Sequence, residues 1–142
     1  MADIQHAIQI ALKPEMVYPL VSTGKGFGQW WAEDITESDG ALSLGFFNRA
    51  TVYRLRLQPG QPPREADWLC DSGQEWSGTH IIFRLEPAGA GTLLRFCHTG
   101  WQSPTDYFTS CNTTWGGLMF RLKAAAEGKA PGPLFLAAGM AY

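Results

Sequence analysis

Apolar residues fall at every second position from Ile4 to Leu12. Ile4, His6, Ile8, Ile10 and Leu12 share one side, with Gln5 and Gln9 on the other. A period of two predicts a strand with one buried face. Pro14 then opens a short helix, where its missing N–H costs nothing. Met16, Val17, Leu20 and Val21 would be its buried stripe, with Pro19 set to bend or end it early. Gly24 to Gly28 reads as a loop into a second short helical segment at Trp30 and Trp31.

A run of strands follows. Ile35 to Asp39 is a short one. Ala41 to Phe46 turns Leu42, Leu44 and Phe46 inward, and Thr51 to Gln58 turns Tyr53, Leu55 and Leu57 inward, against Arg54, Arg56 and Gln58. Glu65 to Cys70 groups Ala66, Trp68 and Cys70, and Thr79 to Glu86 groups Thr79, Ile81, Phe83 and Leu85. Pro87 to Gly91 is a hairpin turn. Thr92 to Thr99 returns with Leu94, Phe96 and His98 inward, a parity that closes if Phe83 faces Leu94 and Thr79 faces His98. One greasy and one wet face per strand is the mark of an antiparallel sheet covered on one side.

The last element is a long helix. Ser103 is its expected cap, Pro104 opens its first turn and Asp106 follows three residues on from the cap. Phe108, Cys111, Trp115, Leu118, Met119 and Leu122 recur at spacings of three and four and form one stripe. Gly128 and Pro131 end it. Pro133 to Tyr142 is a short apolar tail that reads as docked rather than as an anchor. The order predicts an α+β fold: a curved antiparallel sheet of about seven strands wrapped around one long C-terminal helix, with two short helices after the first strand.

Composition narrows the function. A length of 142 residues fits a single domain, 1–142, with a core of its own. Six Trp, four Tyr and eight Phe stand against only 17% charged residues. The net charge of −2 argues against non-specific nucleic-acid binding, which needs a basic excess. No apolar run is long enough to span a membrane, and Met1 to Leu12 lacks the basic start of a signal peptide. Cys70, Cys97 and Cys111 are odd in number and irregularly spaced, which suits free thiols in a reducing cytoplasm. His6, His80 and His98 show no metal-ligand spacing, so neither a metal nor a cofactor is expected. Gly24 to Gly28 lacks the Gly-Lys-Ser/Thr ending of a phosphate loop and reads as a flexible entrance loop. No Gly-x-Ser-x-Gly elbow is present, which excludes an α/β-hydrolase.

Specific segments carry a family likeness. Glu75-Trp76-Ser77-Gly78-Thr79, Phe83-Arg84-Leu85, Gly91 to Phe96 and His98-Thr99-Gly100-Trp101 resemble the START-like, or SRPBCC, superfamily. The similarity is to its branch related to the Aha-type activator of the heat-shock-ninety chaperone ATPase. Asp106-Tyr107-Phe108, Cys111 to Trp115 and Leu122-Lys123 continue it, over Ile4 to Phe135 in all. The resemblance implies a helix-grip fold that binds a small hydrophobic or amphipathic ligand, lipid- or polyketide-like, between sheet and helix. It also leaves two alternatives: a chaperone as partner, or a cyclase- or hydrolase-type enzyme using His98.

The inward faces converge on one volume. Its expected lining is Phe46, Tyr53, Trp68, Phe83, Phe96, His98, Phe108, Cys111, Trp115 and Met119, with Phe27, Trp30, Trp31 and Trp101 at the entrance. The competing reading is that these rings simply pack a core. For His98 the choice lies between orienting a ligand carbonyl or acting as a base, and a core imidazole bonded to a backbone carbonyl or to Thr79. Cys111 reads as a small apolar filler. Gly116-Gly117 in mid-helix, beside Thr113 and Phe120, is either a homodimer contact or a gentle bend.

Overall fold

The alternating segments become strands β1 (Ala2–Ile10), β2 (Asp34–Ser38), β3 (Ala41–Phe46), β4 (Thr51–Leu57), β5 (Glu65–Cys70), β6 (His80–Ala88) and β7 (Gly91–Trp101). The helices are α1 (Pro14–Ser22), α2 (Gly24–Phe27) and α3 (Asp106–Ala126). They are seen in a computed structural model that describes residues 2–141. Met1 of the expected domain and Tyr142 of the expected tail lie outside the described residues.

The strands form one antiparallel sheet in the order β1-β7-β6-β5-β4-β3-β2. β1 and β2 therefore sit at opposite edges, and α1 and α2 carry the chain from one to the other. Helix α3 returns from β7 and packs on β1 and α1. This is the expected helix-grip α+β arrangement. Its inward residues are almost wholly shielded, Leu44, Leu55, Ile81, Phe83 and Leu94 among them. Each such side chain stabilises the fold by roughly 1.5–3 kcal/mol.

Several local expectations are corrected. Helix α1 does not stop at Pro19 but runs to Ser22. Its last turn is held from outside: Trp30 Nε1 donates to Leu20 O at 2.9 Å and Trp68 Nε1 to Val21 O at 2.8 Å. Met16 is 61% exposed, so the buried stripe is Val17, Leu20 and Val21 with Pro14. Gly24 to Gly28 is not a flexible loop. Thr23 Oγ1 accepts from Gly26 N at 2.9 Å and caps α2 there. A Cβ on Gly26 would stand 2.1 Å from Pro19 O, so only glycine lets α2 press this closely on α1. Leu57, at the end of β4, is 41% exposed because nothing covers it.

The β6–β7 register differs by two residues from the expected one. Phe83 faces Phe96 and Ile81 faces His98, because the strands run on to Ala88↔Gly91 and leave only Gly89 and Ala90 as the turn. A two-residue slip keeps every side chain on its expected face. The cap of α3 is Thr105 rather than Ser103: its Oγ1 accepts from Phe108 N at 3.2 Å.

Candidate functional site

A cavity of about 200 Å³ opens between α3, the β3–β4 end of the sheet and the C-terminal segment. Its walls are mostly aromatic faces: Trp31, Phe46, Tyr53, Trp76, Trp115 and Phe135. No charged side chain lines it among the described residues.

Trp76 reaches the wall from the β5–β6 connection. Gly73, at φ 84°, lets that connection pass beneath Tyr53, where a Cβ would lie 2.7 Å from the tyrosine ring. The Trp76 indole then stacks on Tyr53 at 3.8 Å and 12°. Two bonds fix the connection. Thr79 Oγ1 donates to Trp76 O at 2.6 Å, and Thr105 Oγ1 donates to Glu75 Oε1 at 2.5 Å, joining it to the start of α3.

Helix α3 supplies the opposite wall. Tyr107, Ser110, Cys111, Thr114, Trp115 and Leu118 lie three and four residues apart and share one face. The Tyr107 hydroxyl pairs with that of Tyr53. Burial, with this pairing, pushes the Tyr53 hydroxyl far above the ordinary tyrosine range, and burial pushes Tyr107 up to about 12. Burial also pushes up the Cys111 thiol. All three are neutral at physiological pH, which makes this a polar but uncharged corner.

Two segments border the mouth. Phe135 meets Phe46 edge-on at 4.9 Å, and Phe135 N donates to Trp31 O at 2.9 Å. The segment is clamped by Arg121, whose guanidinium donates to the carbonyls of Pro131, Gly132 and Ala141 at 2.9, 2.8 and 3.2 Å. Opposite, Phe47, Asn48 and Arg49 occupy the left-handed region in succession, at φ 54°, 54° and 64°. For Phe47 and Arg49 this costs about 1–2 kcal/mol each relative to the right-handed form, whereas Asn adopts it more readily. The turn is held by Asn48 N donating to Ala137 O at 2.7 Å and by an Arg49–Asp34 ion pair at 2.9 Å. It leaves Phe47 47% exposed on the rim.

Of the residues expected to line a pocket, Phe46, Tyr53, Cys111 and Trp115 come together here. Trp31, expected at an entrance, is a wall. Trp68, Phe83, Phe96 and Met119 do not line the cavity but pack in the solid core beside it, and His98 is fully buried among them. Phe108 is half-buried against Trp101, at 5.2 Å. Phe27, Trp30 and Trp101 are corrected from entrance to core: all are at most 1% exposed, and Phe27 makes edge contacts with Trp30 and Trp31. Trp76, Tyr107, Phe47, Phe135 and Met140 were not expected at the site. Trp76 and Tyr107 do fall within the segments that carry the family likeness.

No protein-family model and no curated protein sequence matches the chain. Solved structures do. The Aha1 dimer from Colwellia psychrerythraea superposes with a TM-score of 0.80 at 29% identity, over 90% of this chain and 98% of that one. Protein MLL2253 from Mesorhizobium loti gives 0.75 at 14% identity, over 89% and 97%. CalU16 from Micromonospora echinospora gives 0.72 at 18%, over 92% and 68%.

Proposed function

Starting from the Aha1-like SRPBCC fold that this chain has, we propose that it binds a small hydrophobic or amphipathic molecule in the cavity between sheet and α3. The carrying observation is the cavity itself, an aromatic-walled space with one polar corner, as ligand sites usually are. At about 200 Å³ it is smaller than the roughly 300–1,000 Å³ of drug-sized sites, which favours a compact ring system over a full-length lipid. Catalysis by His98 has no support here, because the imidazole lies outside the cavity lining.

Isothermal titration calorimetry with ethylbenzene and 2-ethylnaphthalene tests the reading. Saturable one-to-one binding is expected, and Thr114→Trp, which fills the cavity from α3, should abolish it while leaving the chain folded. Absence of saturable binding to the unaltered protein overturns it.

A second copy of the chain is the partner we infer. No charged residue occurs from Tyr107 to Phe120, and Phe120 is 69% exposed on the outer side of α3. The relative from Colwellia was solved as a dimer. Sedimentation should show a dimer that Phe120→Lys shifts to monomer; a monomer at every concentration contradicts it.

A further inference from the structure

Among the aromatic walls of the cavity, one buried indole donor is left without a partner. Trp76 is 5% exposed, yet its Nε1 has no hydrogen-bond partner. Trp30, Trp68 and Trp115 each donate their indole N–H to a protein acceptor; Trp101 Nε1 is also unpartnered, but Trp101 packs in the core and does not line the cavity. The polar atom beside Trp76 is Cys111 Sγ, a weak acceptor. A buried donor without a partner is costly unless something else supplies the acceptor.

Resting on the ligand-binding reading above, we propose that the cavity selects neutral carbonyl compounds, with the ligand oxygen accepting from Trp76 Nε1, and excludes carboxylates. Three observations converge on this class. The Tyr53–Tyr107 contact consumes one phenolic proton and leaves the other, so the same corner holds a second O–H. Among the described residues no cation faces the cavity to balance an anionic ligand. The carboxylate of Glu75, held by Thr105 at the start of α3, acts on Tyr107 and Cys111 and repels a second negative charge. An acceptor without charge is what remains compatible.

Three probes of one shape test it: 2-acetylnaphthalene, 2-ethylnaphthalene and 2-naphthoate. The ketone should bind about tenfold tighter than the hydrocarbon, the scale of one buried hydrogen bond, and the naphthoate should bind more weakly than either at neutral pH. Trp76→Phe should erase the ketone's advantage, read as the ratio of ketone to hydrocarbon affinity in the same variant, with its dispersed amide spectrum showing that it is folded. Should that variant not fold, the Trp76 indole N–H resonance of the unaltered protein reports directly: in the ketone complex it should lie downfield of its position in the hydrocarbon complex. Equal affinity for ketone and hydrocarbon, or tighter binding of the naphthoate, overturns the selectivity while leaving ligand binding intact. Binding of none of the three overturns both.

Discussion

Trp115 donates its indole N–H to His98 Nδ1 at 3.1 Å, and this fixes the chemistry of the imidazole. With Nδ1 accepting, the ring proton resides on Nε2, which donates to Thr79 Oγ1 at 2.8 Å. Thr79 in turn donates to Trp76 O. Both nitrogens are occupied, and a second proton on Nδ1 would face the Trp115 N–H. His98 is thus a structural tie between α3, β7 and the Trp76 connection.

The tie has a pH signature. Burial pushes the His98 pKa from 6.5 down to about 3. As pH falls, the unfolded chain takes up this proton first. The stabilising contribution is therefore full above about pH 6.5 and is lost progressively toward about pH 3. The urea midpoint should drop between about pH 7.5 and pH 5, and the drop should shrink in His98→Gln. Nitrogen-15 spectra should show the neutral Nε2–H tautomer at both pH values; an imidazolium in the folded protein at pH 5 would contradict the network.

Gly73 and Gly78 separate backbone strain from steric contact. Their φ values are 84° and 85°, but a Cβ meets the Tyr53 ring only at Gly73 and meets nothing at Gly78. Gly78→Ala should cost about 1–2 kcal/mol, the price of the left-handed conformation alone. Gly73→Ala should cost more and also weaken binding of 2-ethylnaphthalene, because Tyr53 must move. Equal effects in chemical denaturation and calorimetry would show that Tyr53 is not held against this glycine.

The sheet was legible because alternation needs no partner to be read. Ala41–Phe46 and Glu65–Cys70 match their expected bounds, and His98, Phe83 and Phe96 face the side that parity assigns. What alternation leaves open is where along the sheet the inward rings meet other rings and where they meet a void. Phe83 and Phe96 pack at 5.3 Å beneath the helices, whereas Phe46 and Tyr53 flank the cavity. Trp76 had no periodicity to reveal it, since it lies in a connection whose path depends on Gly73 and on the distant Thr105. Phe135 was legible as apolar, but its place at the mouth depends on Arg121, fourteen positions earlier in the chain.

Arg121 should control the mouth without controlling the fold. Arg121→Met removes the donors that hold the carbonyls of Pro131, Gly132 and Ala141. Amide exchange at Leu134, Phe135 and Ala137 should accelerate, while the β6 and β7 amides keep their protection. Uniform loss of protection throughout the chain would mean that the C-terminal segment is integral to the core rather than clipped onto it.

The vacancy between α3 and the β3–β4 end of the sheet is best tested by two-dimensional nitrogen–proton spectra during titration with 2-ethylnaphthalene. Saturable shifts should appear at the indole N–H groups of Trp31, Trp76 and Trp115 and at the Phe46 and Cys111 amides. Those of Trp30 and Trp68, engaged with Leu20 O and Val21 O in the solid core, should stay in place. Shifts that never saturate, or that centre on Trp30 and Trp68 instead, would show that the aromatic-walled cavity is not a ligand site.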